Sequence, residues 1–310
     1  MAEQQAFISY LPDLGVIRAS GEDARHFLHN QLTNDISSLG TGEACLAGYC
    51  SPKGRLLATL LVWAVDDALM LMLPKSLLQG FQKRLHMFVL RSKVTLEDVS
   101  DTLCVAGVGL ASPASTSSVP HTAYRSQPMA GGELIRVPDA MGMARALWVG
   151  PVAKREEIAL SLPGLSPQPQ SYWRWLDIQA GVPQLLEATR EQFVPQMVNF
   201  ELLGGVNFRK GCYPGQEIVA RSQYLGKLKR RMLLARVDVA EVAPGTEVFS
   251  EDDPGQPCGM IVNAERGPDG QIACLVEIKL AAAQSPVHLG SAGGPTLCFD
   301  TLPYTLDDPA

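Results

Sequence analysis

Apolar and polar positions follow two rhythms along this 310-residue chain. From Arg55 to Val65 the run RLLATLLVWAV is almost wholly apolar, Asp66-Asp67 interrupts it, and ALMLML continues to Leu73, which predicts two strands joined by a tight turn. From Lys75 to Leu90 the rhythm changes. Leu77, Leu78, Phe81, Leu85, Phe88 and Val89 recur at helical spacing, one face of an amphipathic helix, and KVTLEDV (93–99) reads as the next strand. Upstream, Ser20 as N-cap candidate, Glu22 and Asp23 in the first turn, and Phe27, Leu28 and Leu32 predict a helix ending near Thr33-Asn34. Strands joined by hairpins rather than crossovers predict an α+β layer with a mostly antiparallel sheet.

A second set of elements follows. Residues 111–128 are rich in Ser, Pro and Ala and predict a long surface loop, and 162–173 a second linker. Between them ELIRVP (133–138) and ALWVG (146–150) read as strands and PVAKREEIALSL (151–162) as a helix. YWRWLDIQAGVP (172–183) predicts a helix closed by Gly181 and stopped by Pro183. Trp173 and Trp175 fall on different sides of it, one suited to core and the other to a pocket wall, with core the default for each. After Arg231 the pattern becomes five short strands separated by Pro/Gly turns, which predicts a small barrel or sandwich and a domain boundary at that point, 1–230 against 231–310.

Composition narrows the function. A formal net charge of -6 argues against general coating of nucleic acid or of an anionic membrane. The longest apolar stretch, Leu56 to Val65, is too short to span a bilayer. The N-terminus has an early Glu3 and no basic segment before an apolar run, which argues against a secretory signal, so a cytoplasmic protein is expected. Seven widely scattered cysteines fit reduced thiols, and Cys45 and Cys50 alone make a weak metal signal, so no metal site is expected.

The stretch NFRKGCYPGQEIVARSQ (207–223) holds the chemistry most worth explaining. Pro214 suits the first helical position, predicting a helix from about Pro214 through Arg221 with Cys212 just before it. A thiolate there would be stabilised by the positive helix end and by Lys210, while Gly211 and Gly215 permit close approach of a ligand. The alternative is a small buried cysteine in a Gly/Pro turn. None of the five histidines is recognisable as a catalytic partner. From Arg209 to Arg231 seven basic residues stand against Glu217 alone, a local positive patch that could meet carboxylates or phosphate, or be a solvated face. Few aromatics interleave with it, which counts against direct nucleic-acid binding.

At KGCYPGQE, Lys210 to Glu217, the sequence resembles the YgfZ family of folate-binding proteins, whose signature is K-G-C-Y-x-G-Q-E. The likeness extends through GEDARHFLHNQLTND, SPKGR, WLDIQAGVP, FVPQMVNFELLGGVNFRKGCYPGQEIVAR and the closing LPYTL, and more distantly to the glycine-cleavage T-protein, an aminomethyltransferase. The resemblance implies two interleaved α/β subdomains plus a C-terminal β-barrel around a central channel. It implies tetrahydrofolate as cofactor and iron-sulfur enzymes, including those that thiomethylate tRNA, as partners of an accessory factor that is itself expected to be a monomer. Cys212 would be the functional thiol, with Lys210, Tyr213, Gln216 and Glu217 around it. Trp173 would meet folate, with Gly211, Gly215 and Arg221 as further contacts. Two positions depart from the pattern. Leu14 stands where family members can carry an N-terminal tryptophan, and Ala58-Thr59 stand where T-proteins carry an acidic pair, so the alternative of a folate-dependent aminomethyl or C1 transferase loses a general acid/base.

Overall fold

In a computed structural model, residues 5–110, 119–162, 164–224 and 228–306 are described. Three sheets organise them. The first block of sequence builds a five-stranded antiparallel sheet. Its strands are β2 (Leu14–Ser20), β3 (Ala44–Cys50), β4 (Leu56–Val65), β5 (Ala68–Pro74) and β6 (Thr95–Asp98), in the order β3-β4-β5-β2-β6. β4 and β5 form the expected hairpin, with Asp66 at φ 52° in its turn. Their continuous apolar runs are explained by burial on both faces. Helix α2 (Lys75–Val89) packs along the sheet through Leu77, Leu78, Phe81 and Leu85. Phe88 and Leu90 extend past the sheet and are exposed, so the predicted apolar face ends a turn early.

The first helix is shorter than expected. α1 runs only Ala24–His29, and Ser20 is the last residue of β2 rather than its cap. Beyond Asn30 the chain is drawn to the sheet: Leu32 bridges Tyr49, and the Thr33 N–H donates to the Gly48 carbonyl at 2.9 Å. The Asp23 carboxylate makes no cap bond and accepts instead from the Lys93 N–H at 2.8 Å.

The second sheet contains β1 (Phe7–Tyr10), β7 (Leu103–Leu110), β8 (Ser126–Met129), β9 (Gly132–Ala140), β10 (Met143–Pro151) and β11 (Ser166–Pro167), in the order β11-β1-β7-β10-β9-β8. β1 precedes every strand of the first sheet in sequence yet lies inside the second, so the two halves are interleaved. Only β1 and β11 pair in parallel among the described strands. α3 (Arg155–Ser161) follows β10, preceded by a 3₁₀ turn at Val152–Lys154. Residues 111–118 of the expected surface loop lie outside the described residues, while its C-terminal end forms β8.

α4 (Gln170–Gln179) starts inside the expected linker and ends as the sequence indicates. Gly181 takes φ +66°, its N–H donates to the Ile178 carbonyl and the Val182 N–H to the Asp177 carbonyl, a Schellman close that needs a left-handed residue. α5 (Gln216–Tyr224) follows a long irregular stretch.

The third sheet is β12 (Arg230–Val237), β13 (Glu247–Ser250), β14 (Gly259–Arg266), β15 (Ile272–Lys279), β16 (Val287–Leu289) and β17 (Cys298–Asp300), ordered β16-β13-β14-β15-β12-β17. It is a curled antiparallel sheet whose edge strands are not paired with each other among the described residues, a half-barrel rather than a closed one. It is tied to the rest of the chain by buried polar contacts. Arg231 pairs with Glu201, the Asn199 amide donates to the Met232 carbonyl at 2.7 Å, and the Tyr304 hydroxyl donates to the Gly181 carbonyl at 2.8 Å.

Candidate functional site

Two places draw together the sequence candidates, and they are distinct. The first is the turn carrying Cys212. Helix α5 begins at Gln216, not Pro214, so Cys212 stands four residues ahead of it and outside its first turn. Gly215 explains the delay. It adopts φ +80°, and a Cβ there would lie 2.4 Å from the Ser51 carbonyl oxygen and 2.7 Å from Gly54 Cα, so the turn is laid directly on the Ser51–Arg55 backbone. Lys210 does not point its charge at the thiol alone. Its ammonium donates to the carbonyls of His29 and, at 2.6 Å, Leu32, which are left unpaired at the end of α1, and it lies 5.1 Å from the Tyr213 ring centroid.

Burial lowers the Lys210 pKa to about 8 against the opposing charges of Asp35 and Cys212. Beneath it His29 is also lowered, by burial first and by the Lys210 charge second, while Asp35, 3.0 Å from His29, is held at about 2 by its hydrogen bonds to Ser37 and Ser38. Tyr213 is buried, Cys212 is exposed, and Glu217 sits in the first turn of α5, where a carboxylate suits the helix end. Lys210, Tyr213 and Gly215 are thus spent on anchoring the turn, and the anchored turn presents an exposed thiol. The buried-cysteine alternative does not hold.

The positive patch largely dissolves. Arg230 makes a bidentate pair with Glu277, Arg231 pairs with Glu201, and Lys210 is committed to carbonyls. Lys227 lies outside the described residues. Arg209, Arg221 and Lys229 remain exposed.

The second place is a cavity of about 90 Å³ between the first two sheets, floored by α4. Leu14 from β2, Thr59 from β4, Arg145 from β10 and Trp173 and Asp177 from α4 line it, together with Tyr124. The structure therefore gathers Leu14, Thr59 and Trp173, three positions flagged separately in the sequence. It leaves Gly211, Cys212, Gly215 and Arg221 outside the lining. A second cavity, of about 240 Å³, shares Asp177, Val182 and Gln184 with the first and is also lined by Asn263 and Glu265 on β14 of the half-barrel. Arg174 lines it too and donates to Asp13 at 2.5 Å.

Trp173 is 3% exposed, and much of its ring is already covered. The Arg145 guanidinium lies 4.8 Å from its centroid, and Gly107 packs so closely that a Cβ there would be 2.2 Å from the ring. Trp175, on the other side of α4, stacks on Tyr172 at 5.6 Å and faces a separate pocket. Ala58 is buried and Thr59 accepts the Leu185 N–H at 3.1 Å, so the positions of the T-protein acidic pair carry an alanine and a hydroxyl already in use.

Arg145, Asp177 and Tyr124 are the residues that sequence reasoning missed. Arg145 donates to Asp177 Oδ1 at 2.8 Å and to the Pro138 carbonyl at 3.0 Å. Burial raises the Asp177 pKa, while the Arg145 charge pulls it back. Arg145 Nη2 and Tyr124 Oη are buried with no hydrogen-bond partner among the described residues. The signals were present. Arg145 interrupts an apolar strand, and Asp177 lies four residues after Trp173, on the same helix face. No group of three or more His, Cys, Asp or Glu side chains among the described residues could hold a metal ion, and no helix among them is long and apolar enough to cross a membrane.

No family model matches the chain. It is similar over nearly its whole length to bacterial proteins named tRNA-modifying protein YgfZ. The protein of Colwellia psychrerythraea is 28% identical over 312 residues, 97% of this chain and 94% of that one. That of Yersinia pseudotuberculosis is 27% identical over 304 residues, 96% and 92%. That of Klebsiella pneumoniae is 28% identical over 312 residues, 96% and 93%. In structure the chain is similar to glycine cleavage system aminomethyltransferase T from Bartonella henselae, with a TM-score of 0.75, 16% identity, and coverage of 98% of this chain and 87% of that one. The fold is that of a T-protein, and the resemblance carried by the Lys210–Glu217 motif reaches YgfZ relatives end to end.

Proposed function

We propose that this chain is a cytoplasmic, monomeric folate-binding accessory protein that supports assembly or repair of iron-sulfur enzymes, including tRNA-thiomethylating enzymes, through tetrahydrofolate and Cys212. The observation that carries the reading is the cavity beside Trp173, an apolar recess with a half-buried carboxylate and two buried polar atoms that have no partner among the described residues. Such a lining fits a flat heterocycle with a polar edge, since orphaned buried groups are costly unless a ligand meets them. Trp173 and Leu14 would wall the pterin, Arg145, Asp177 and Tyr124 would meet its edge, and the adjoining cavity lined by Arg174 would take the rest of the molecule. Bound tetrahydrofolate would supply one-carbon acceptor chemistry.

The basic stretch from Arg209 to Arg231 is not part of this proposal, because it lines neither cavity. Cys212 acts at its own surface, which suits a thiol that meets a partner protein or a cluster rather than the pterin. The T-protein fold alone favours an aminomethyl or C1 transferase. Against that stands Thr59, whose hydroxyl is engaged where a carboxylate would be needed.

The test is complementation of a bacterial strain lacking its own YgfZ, with thiomethylated tRNA nucleosides as the readout. The wild-type chain should restore them and Cys212→Ser, at an exposed position, should fold normally yet fail. No restoration by the wild-type chain would overturn the accessory role, and full rescue by the variant would remove the thiol from it.

A further inference from the structure

The cavity contains a polar corner that the protein leaves incomplete. Arg145 is 0% exposed, two of its nitrogens are engaged, and Nη2 is buried with no hydrogen-bond partner among the described residues. Tyr124 Oη is in the same condition, and both residues line the cavity. A guanidinium nitrogen can only donate, so whatever fills this corner must bring an acceptor. Burial raises the pKa of the Tyr124 hydroxyl, so at neutral pH it keeps its proton and can donate as well.

The backbone holds Tyr124 there at some cost. It has φ +64°, a conformation a bulky side chain rarely takes. Its N–H donates to the Arg136 carbonyl and its carbonyl accepts the Ala44 N–H, both at 2.8 Å, so β9 of one sheet and β3 of the other pin it between them. Arg145 is fixed in turn by Asp177 and by the Trp173 ring. The pair is thus preorganised, and Asp177 beside it adds an acceptor for ring N–H or amino groups.

We infer that Arg145 and Tyr124 determine specificity by donating to a ring carbonyl oxygen, so that the cavity takes 4-oxo pteridines and excludes those bearing a 4-amino group. This inference rests on the folate reading above. An amino group in that place would meet the Arg145 nitrogen donor against donor, and a site built to hydrogen-bond one group discriminates strongly against its replacement.

The experiment is anaerobic titration calorimetry with tetrahydrofolate and tetrahydroaminopterin, which differ only at position 4. Wild-type protein should bind the 4-oxo compound about tenfold more tightly or better, the order expected for one buried hydrogen bond against an unmet donor. Tyr124→Phe, which removes only the hydroxyl, should weaken tetrahydrofolate severalfold and leave tetrahydroaminopterin unchanged, narrowing the ratio. Arg145→Gln should narrow it further, provided its thermal melt matches wild type. Equal wild-type affinity for both compounds, or an unchanged ratio in Tyr124→Phe, would overturn the inference while the folate reading stood. Failure of both compounds to bind would overturn the folate reading itself.

Discussion

Gly107 and Gly109 lie two residues apart on β7 and so on one face of it, and each makes room for one aromatic ring. A Cβ on Gly107 would lie 2.2 Å from Trp173 Cε3 and 2.4 Å from Cδ2, and one on Gly109 would lie 2.1 Å from Phe7 Cε1. Carbon atoms in contact sit roughly 3.5–4.0 Å apart, so either ring must withdraw by roughly an ångström or more. Trp173 has little room, with the Arg145 guanidinium 4.8 Å and the Phe7 centroid 6.4 Å from its own. Its open side is the cavity. Each Gly→Ala change should cost about 1–3 kcal/mol as overpacking, read as a lower urea midpoint at unchanged slope. Only Gly107→Ala should also weaken tetrahydrofolate binding, by about tenfold or more, because Trp173 and Arg145 line the cavity and Phe7 does not. If the two variants lose equal stability and bind folate equally well, the cavity beside Trp173 is not the site.

Other changes test other parts of the account. Gly215→Ala should lose at least about 2 kcal/mol in urea unfolding, since it combines a left-handed backbone with overlap on Ser51 and Gly54; a wild-type midpoint would mean that the Cys212 turn is not latched there. Arg231→Met, which removes the buried guanidinium opposite Glu201, should cost about 3–5 kcal/mol, and a loss under 1 kcal/mol would show that this pair does not hold the half-barrel. Asp35 has a folded pKa of about 2, below its ordinary 3.8, so its contribution is present above about pH 4 and is lost as pH falls toward 2. Asp35→Asn should therefore lose about 1 kcal/mol at neutral pH, after allowing for solvent screening, with the gap to wild type closing by pH 2; a gap constant with pH would contradict this.

Strands and helices with a strong local signal were readable in advance. The β4–β5 hairpin, α2 and the Gly181 close of α4 lie where periodicity and turn chemistry put them, because local pattern and tertiary packing agree there. β1, β2, β3 and β7 drew no prediction. Phe7–Tyr10 is only four residues long, and its place inside the second sheet is decided by strands nearly a hundred residues away. α1 was over-extended because Leu32, at helical spacing, is used as a bridge to Tyr49. At the candidate site, Trp173, Leu14 and Thr59 were visible one by one through the resemblance, but that they share one cavity is a property of sheet packing. Arg145 and Asp177 drew no prediction, although a charge in an apolar strand and a carboxylate one turn after Trp173 are signals, because their proximity is set by sheet and helix packing. Position relative to Pro214 misled the reading of Cys212, since the contact of Gly215 with Ser51 delays the helix.

The central claim is that the cavity beside Trp173 binds folate. Isothermal titration of tetrahydrofolate and its 5-formyl form into the purified chain, with Trp173→Ala alongside, tests it most directly. Binding that is weakened roughly tenfold in the variant is the predicted result, in line with about 1–2 kcal/mol for loss of an aromatic contact. An unchanged affinity would make Trp173 a core residue only, and no binding by the wild-type chain would contradict the account.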